Sequence, residues 1–133
     1  MREVGRFTVN APIAEAFELF TPLGERRWAA GWDPVFPTPT ADDTAPGTVF
    51  TTVHDGHETI WVVTEREPGA SIGYARVTPH HRAGTVKVRC TSAGPDTTEV
   101  EVEYRLTSMT GTPEPPFPAD FFRAWEERIA EFC

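Results

Sequence analysis

Thr97-Thr98-Glu99-Val100-Glu101-Val102-Glu103-Tyr104-Arg105-Leu106-Thr107 alternates apolar and charged side chains along most of its length. In an extended chain Val100, Val102, Tyr104 and Leu106 point one way, and Glu99, Glu101, Glu103 and Arg105 the other. A strand with one apolar and one charged face belongs to an antiparallel sheet with one side on a core and one in water. Working back toward the N-terminus, the same period of two predicts strands over 47–54, 58–66, 71–78 and 83–92, before this one at 97–107. The breaks between them carry turn chemistry. Asp55-Gly56 is the strongest short hairpin signal, Pro68-Gly69 and Gly94-Pro95-Asp96 mark two more, and Pro79 opens the fourth strand of the run.

The flanks complete the pattern. Val4, Phe7 and Val9 make 3–10 a first strand. Asn10 reads as a helix N-cap with Pro12 in the first turn, and Ile13, Phe17 and Phe20 form one apolar helical face that Pro22 ends. A second short helical piece is predicted over 23–30, stopped by Gly31. Residues 33–48 and 108–118 are proline-rich and read as loops. Beyond them Phe121, Phe122, Trp125, Ile129 and Phe132 share a helical face, with Glu126, Glu127 and Arg128 outside it. The expectation is one α+β domain over 1–133, a curved antiparallel sheet of about six strands wrapped around a long C-terminal helix, with two short helices after the first strand. Only the last helix is apolar enough to cover the sheet. A curved sheet around a single helix leaves a gap suited to a ligand.

Bulk properties narrow the function. The chain's 133 residues suit one domain, and a net charge of −8 repels phosphate backbones, which argues against nucleic-acid binding. Two cysteines, Cys90 and Cys133, are too few and too far apart for a disulfide scaffold. No apolar run approaches the ~20 residues that cross a bilayer, and 1–5 lack the look of a signal peptide, so a cytoplasmic location is expected. No Gly-x-Ser-x-Gly, phosphate loop or Gly-x-Gly-x-x-Gly appears, so neither a serine nucleophile nor a nucleotide is supported. The pattern leaves the oligomeric state open.

The element order, together with Phe7-Thr8-Val9-Asn10-Ala11-Pro12-Ile13-Ala14-Glu15-Ala16-Phe17, Trp28-Ala29-Ala30-Gly31-Trp32-Asp33-Pro34 and Pro46-Gly47-Thr48-Val49-Phe50, resembles the SRPBCC (START-like, helix-grip) superfamily. That group includes lipid binders, pollen-allergen-like proteins, polyketide cyclases and chaperone-activator domains. The resemblance implies a hydrophobic cavity, usually without a cofactor, and functions from passive carriage to ring closure. The final helix is short for the group, which implies a more open cavity floor.

Residue chemistry supplies candidates. The Asp55-Gly56 turn sets Phe50, Thr52 and His54 on the same face as His57, Thr59, Trp61 and Val63, and Ile72, Tyr74 and Arg76 share a face of the next strand. The opposite face, with Val49, Val53, Ile60 and Val62, is the alternative lining; the aromatic face is favoured. The expected ligand-binding set is Phe50, Thr52, His54, Trp61, Val63, Tyr74, Arg76, Val88, Val102, Tyr104, Phe121 and Trp125. Trp28 and Trp32 read as core. Arg76, if inward, is suited to a ligand carboxylate or an enolate; Tyr74 and His54 are suited to moving protons. His54, His57, His80 and His81 should gather at one end of the sheet, as a solvated turn surface or a polar ring at a pocket mouth; His54, His57 and Glu58 offer metal ligands, but their spacing matches no closed zinc pattern, and no metal is expected. Cys90 reads as an inert inward thiol. Three functions compete: a carrier of a small hydrophobic (aromatic, lipid-like or polyketide-like) molecule, a cyclase or dehydratase using the same cavity, and an interaction module, for which Glu99, Glu101 and Glu103 are the only hint.

Overall fold

The computed structural model describes residues 1–133. Strand β1 (Arg2–Val9) leads into helix α1 (Ile13–Glu18) and a 3-10 helix (Gly24–Arg27). Strands β2 (Val49–His54), β3 (His57–Glu67), β4 (Ser71–Thr78), β5 (Arg82–Gly94) and β6 (Thr97–Ser108) follow, and helix α2 (Phe121–Phe132) closes the chain. The six strands form one antiparallel sheet in the order β1-β6-β5-β4-β3-β2. The meander therefore runs consecutively, and β1 returns to pair with the last strand.

Turn chemistry sets the register. Asp55 and Gly56 have φ of 50° and 78°, two left-handed residues in succession, as a two-residue type I′ hairpin requires. His54 consequently faces His57, Thr52 faces Thr59 and Phe50 faces Trp61. The β4–β5 hairpin turns at Thr78-Pro79-His80-His81, where His81 N–H donates to the Thr78 carbonyl and His80 has φ of 69°. Proline second and a left-handed third residue mark a type II turn, which favours glycine where His80 stands. Pro79 is thus a corner of the turn, outside the strand.

Phe7, Val9, Phe50, Trp61, Val63, Ile72, Tyr74, Val86, Val88, Val100, Val102, Tyr104 and Leu106 are all buried on the inner face. The outer face is wet. Arg6 and Arg2 on β1 pair with Glu101 and Glu103 on β6 at 3.0 Å and 2.7 Å, so two of the three acidic residues read as an interaction hint meet their cations within the sheet. Val49, Val53 and Ile60, the alternative lining, are exposed there.

The covering layer differs from expectation in three details. Asn10 is not the N-cap; Pro12 holds that position, no side chain caps the helix, and α1 spans only six residues. Phe132 is 50% exposed, so the buried stripe of α2 stops at Ile129. Glu126 turns back to accept the Thr8 backbone N–H at 3.1 Å. Helix α2 consequently lies over the β1 and β6 side of the bowl. Its approach requires Gly5, since a Cβ there would stand 2.2 Å from the Phe122 ring. From that side α2 sends Trp125 to within 5.2 Å of the Trp28 ring and 6.3 Å of Tyr104, leaving the inner face uncovered toward the β2–β3 turn.

Candidate functional site

The uncovered end of the bowl is a cavity of about 280 Å³. An apolar cavity of about 150 Å³ suffices for benzene. This one therefore admits a two-ring molecule and stands at the small end of the usual ligand-site range. Its floor is Trp61, Tyr74, Val86, Val88 and Tyr104, its walls are Trp32, Phe121 and Trp125, and its roof edge is the small-residue run Ala29-Ala30-Gly31. The side beside exposed His54 and Val53 opens to solvent.

Of the expected lining set, Thr52, His54, Trp61, Tyr74, Arg76, Val88, Tyr104, Phe121 and Trp125 reach the cavity. Phe50, Val63 and Val102 do not. All three point inward by register but are covered: Phe50 lies under Trp32 and Phe36, at 6.0 Å and 5.6 Å, and Val63 and Val102 are sealed within the packed core. Strand alternation shows which way a side chain points, not what lies on top of it. Trp32, read as core, is a cavity wall, held by its indole N–H to the Pro22 carbonyl at 2.7 Å.

Arg76 dominates the polar chemistry. It pairs in register with Trp61 on one side and Gly84 on the other, which places its guanidinium 4.9 Å from the Trp61 ring centroid. That is a cation–π geometry. One terminal nitrogen donates to Thr78 Oγ1 at 3.2 Å, and Thr78 shares a 2.7 Å hydrogen bond with Thr59. Its Nε is buried without a partner, and no carboxylate lies within ion-pair distance of the guanidinium. Glu114, the one carboxylate whose charge reaches Arg76, is already paired with Arg82 at 2.6 Å. Desolvation consequently lowers the Arg76 pKa, though an arginine stays cationic through any ordinary pH range. A half-buried cation without a protein counterion suits an anionic or strongly polar oxygen of a ligand.

The two tyrosines differ. Tyr74, a candidate for moving protons, donates its hydroxyl to the Phe20 carbonyl at 3.0 Å, and burial raises its pKa, so it serves as a structural tie between β4 and the turn after α1. Tyr104 is also pushed up by burial, but its hydroxyl has no hydrogen-bond partner in the protein, and it senses both Glu25 and Arg76. Tyr104 is the tyrosine available to a ligand. His54, also a candidate for moving protons, is 88% exposed and leans on Asp55 at 3.3 Å. It belongs to the mouth and not to the interior.

The other histidines gather at that end. The His57 and His81 rings lie 4.3 Å apart, and the proline-rich loop joins them where Met109 N–H donates to the His81 carbonyl. Only His54 of the four lines the cavity. No group of three or more His, Cys, Asp or Glu side chains is placed to hold a metal ion. Cys90 is buried and its thiol is pushed up to about 12 by desolvation.

Glu25, Ala29, Ala30, Gly31, Trp32, Val53, Thr59 and Val86 line the cavity outside the expected set, and Glu25 is the only ionisable one among them. Glu25, in the 3-10 helix, lines the cavity, and desolvation pushes its carboxyl well above the usual carboxylate range. Gly-Glu-Arg-Arg looks like a solvated turn. The only signals beside it are the glycine before and the Ala-Ala-Gly run shortly after.

Solved structures show the same architecture at low sequence identity. A START superfamily protein from Mycobacterium smegmatis superposes with a TM-score of 0.65 at 13% identity, covering 99% of each chain. CalU16 from Micromonospora echinospora gives 0.64 at 19% identity, over 98% of this chain and 72% of that one. The Aha1 dimer from Colwellia psychrerythraea gives 0.59 at 13% identity, over 99% and 90%. Identities this low establish the fold alone. No protein of curated function matches the sequence. The family described as polyketide cyclase / dehydrase and lipid transport matches residues 3–132.

Proposed function

We propose, from the premise that this chain belongs to the polyketide cyclase / dehydrase and lipid transport family that residues 3–132 match, that it binds a small, mainly apolar ring molecule with its acidic or carbonyl oxygen turned toward Arg76. The observation carrying this reading is the aromatic-walled cavity of about 280 Å³ with one guanidinium that no protein carboxylate neutralises. Apolar walls supply most of the affinity, at roughly 25 cal/mol per Å² of surface removed from water, while the cation fixes orientation. Passive holding is favoured over chemistry because the groups first suited to proton transfer are engaged elsewhere: Tyr74 with Phe20, and His54 in solvent.

Thermal unfolding with 2-naphthoate and with 2-naphthylmethanol tests the reading. A ligand at a hundredfold excess over its Kd stabilises by about 2.7 kcal/mol. Both compounds should raise the Tm, 2-naphthoate more. Arg76→Met should remove the advantage of the acid and keep the response to the alcohol. No shift with either compound refutes the reading.

A second reading, a cyclase or dehydratase, is favoured by one observation. The Tyr104 hydroxyl is unpartnered and lies within electrostatic reach of both Arg76 and Glu25, where it is placed to relay a proton while Arg76 holds an enolate. Turnover of a poly-β-ketone substrate that Tyr104→Phe abolishes, with binding retained, would establish it over passive holding.

A further inference from the structure

Within that ligand-binding reading, on which this inference rests, we propose that Glu25 is a ligand-contacting specificity residue: with Arg76 it selects molecules bearing an acidic or enolic oxygen at one end and a neutral hydrogen-bond acceptor at the other.

The geometry begins at Gly24. A Cβ there would stand 1.6 Å from the Glu18 carbonyl oxygen, so the 3-10 helix packs directly on the end of α1. Gly24 N–H donates to Thr21 Oγ1 at 3.0 Å, and Glu25 N–H to the Thr21 carbonyl at 3.0 Å. These contacts hold the turn in one orientation. Arg26 and Arg27 are exposed, and Glu25 alone of the three charged residues is turned to the cavity. Arg26 is committed outward to Asp33 at 2.7 Å.

The chemistry follows from what Glu25 lacks. Its carboxyl makes no ion pair and no hydrogen bond within the protein. The groups it influences from the strands beneath it are Tyr74 on β4 and Tyr104 on β6. Arg76 also lines the cavity, beyond ion-pair distance, and Asp43 acts on Tyr74 from the long loop. With no cation to hold a carboxylate, desolvation favours the neutral acid, and a neutral acid donates one hydrogen bond. A carbonyl, ester or ether oxygen accepts it; a hydrocarbon tail wastes it. Tyr104 lies on the cavity floor within electrostatic reach of both Glu25 and Arg76. The ligand class is therefore a bifunctional ring compound and not a simple fatty chain.

Calorimetric titration of the full chain with 2-naphthoate and 6-(methoxycarbonyl)-2-naphthoate tests this. The ester should bind roughly three- to tenfold tighter, the worth of one hydrogen bond. Glu25→Ala should collapse that ratio. Glu25→Gln, whose amide still donates, should keep it. In the wild type the ratio should fall as pH rises through the folded Glu25 titration, and in Glu25→Gln it should not. An unchanged ratio in Glu25→Ala overturns the proposal while leaving the Arg76 reading intact; failure of 2-naphthoate itself to bind removes both. Preferential binding of 6-(aminomethyl)-2-naphthoate that strengthens as Glu25 ionises would also overturn it, because it would make Glu25 a cation receptor.

Discussion

The inner face of the sheet has a filled end and a hollow end, built from the same strands. At the filled end Phe7, Val100 and Val102 meet Ala16, Phe17 and Phe20 from the α1 segment and Ile129 from α2, and every one of these is buried. At the hollow end Trp61, Val86 and Tyr104 face Ala29, Ala30 and Gly31, whose side chains are too small to reach them. The sheet contributes comparable side chains at both ends. The difference lies in the covering segment, and the unengaged polar groups, Glu25, Arg76 and Tyr104, all lie at the end left hollow. A cavity here is the shadow of a short cover, not of a defective sheet.

The contrast can be broken by mutation. Phe20→Ala, at the filled end, should cost about 3–5 kcal/mol, as deletion of a buried aromatic ring that touches Phe7 and Trp28 does. Denaturant titration measures it. Enlargement should then separate the two ends by sign. Val102→Phe, in the packed end, should cost about 1–3 kcal/mol. Val86→Phe, over the cavity, should be neutral or add up to about 1 kcal/mol, in the manner of cavity-filling changes, and should abolish 2-naphthoate binding. Equal losses from the two enlargements would mean that the cavity is already filled on average.

A smaller effect sharpens the electrostatic side. The folded pKa of Glu25 is raised, so folding favours the protonated form. Its contribution is intact below the unfolded carboxylate pKa and is lost as pH rises toward the folded value. Glu25→Gln should therefore match the wild type in Tm near pH 4 and exceed it near pH 8. The smallest expected response is chemical. At pH 8 a disulfide reagent should modify exposed Cys133 and spare Cys90, whose thiol titrates near 12 and is buried; in guanidinium both should react. Rapid modification of Cys90 in the native protein would show that the filled end opens easily.

Legibility follows the range of the forces involved. Asp55-Gly56 specifies its own turn through φ alone, and the turn specifies which residues of β2 and β3 share a face, so the inward direction of Thr52, Trp61 and Arg76 was readable. Covering was not readable. Phe50 and Trp61 are register partners with the same polarity, yet Trp32, eighteen residues before Phe50, folds over both rings from 6.0 Å and 5.4 Å and leaves only Trp61 on the cavity. The inward side of Tyr74 followed from its strand, but the partner of its hydroxyl, a backbone carbonyl 54 residues away, did not. Phe132 sits on the correct helical stripe, but the sheet has ended before the helix does.

By itself the sequence determined the consecutive strands of the meander, the register of the Asp55-Gly56 hairpin, the period of each element and, with them, the fold class. These follow from the pleat, from turn dihedrals and from side-chain hydrophobicity, all of which act between near neighbours along the chain. Only the tertiary structure decided that Gly24 packs on Glu18 and turns Glu25 inward, that Arg76 finds Trp61 but no carboxylate, and that the cover stops short of one end of the bowl. Those outcomes depend on which surfaces meet across distant segments, and burial, unlike periodicity, has no signature in the spacing of residues.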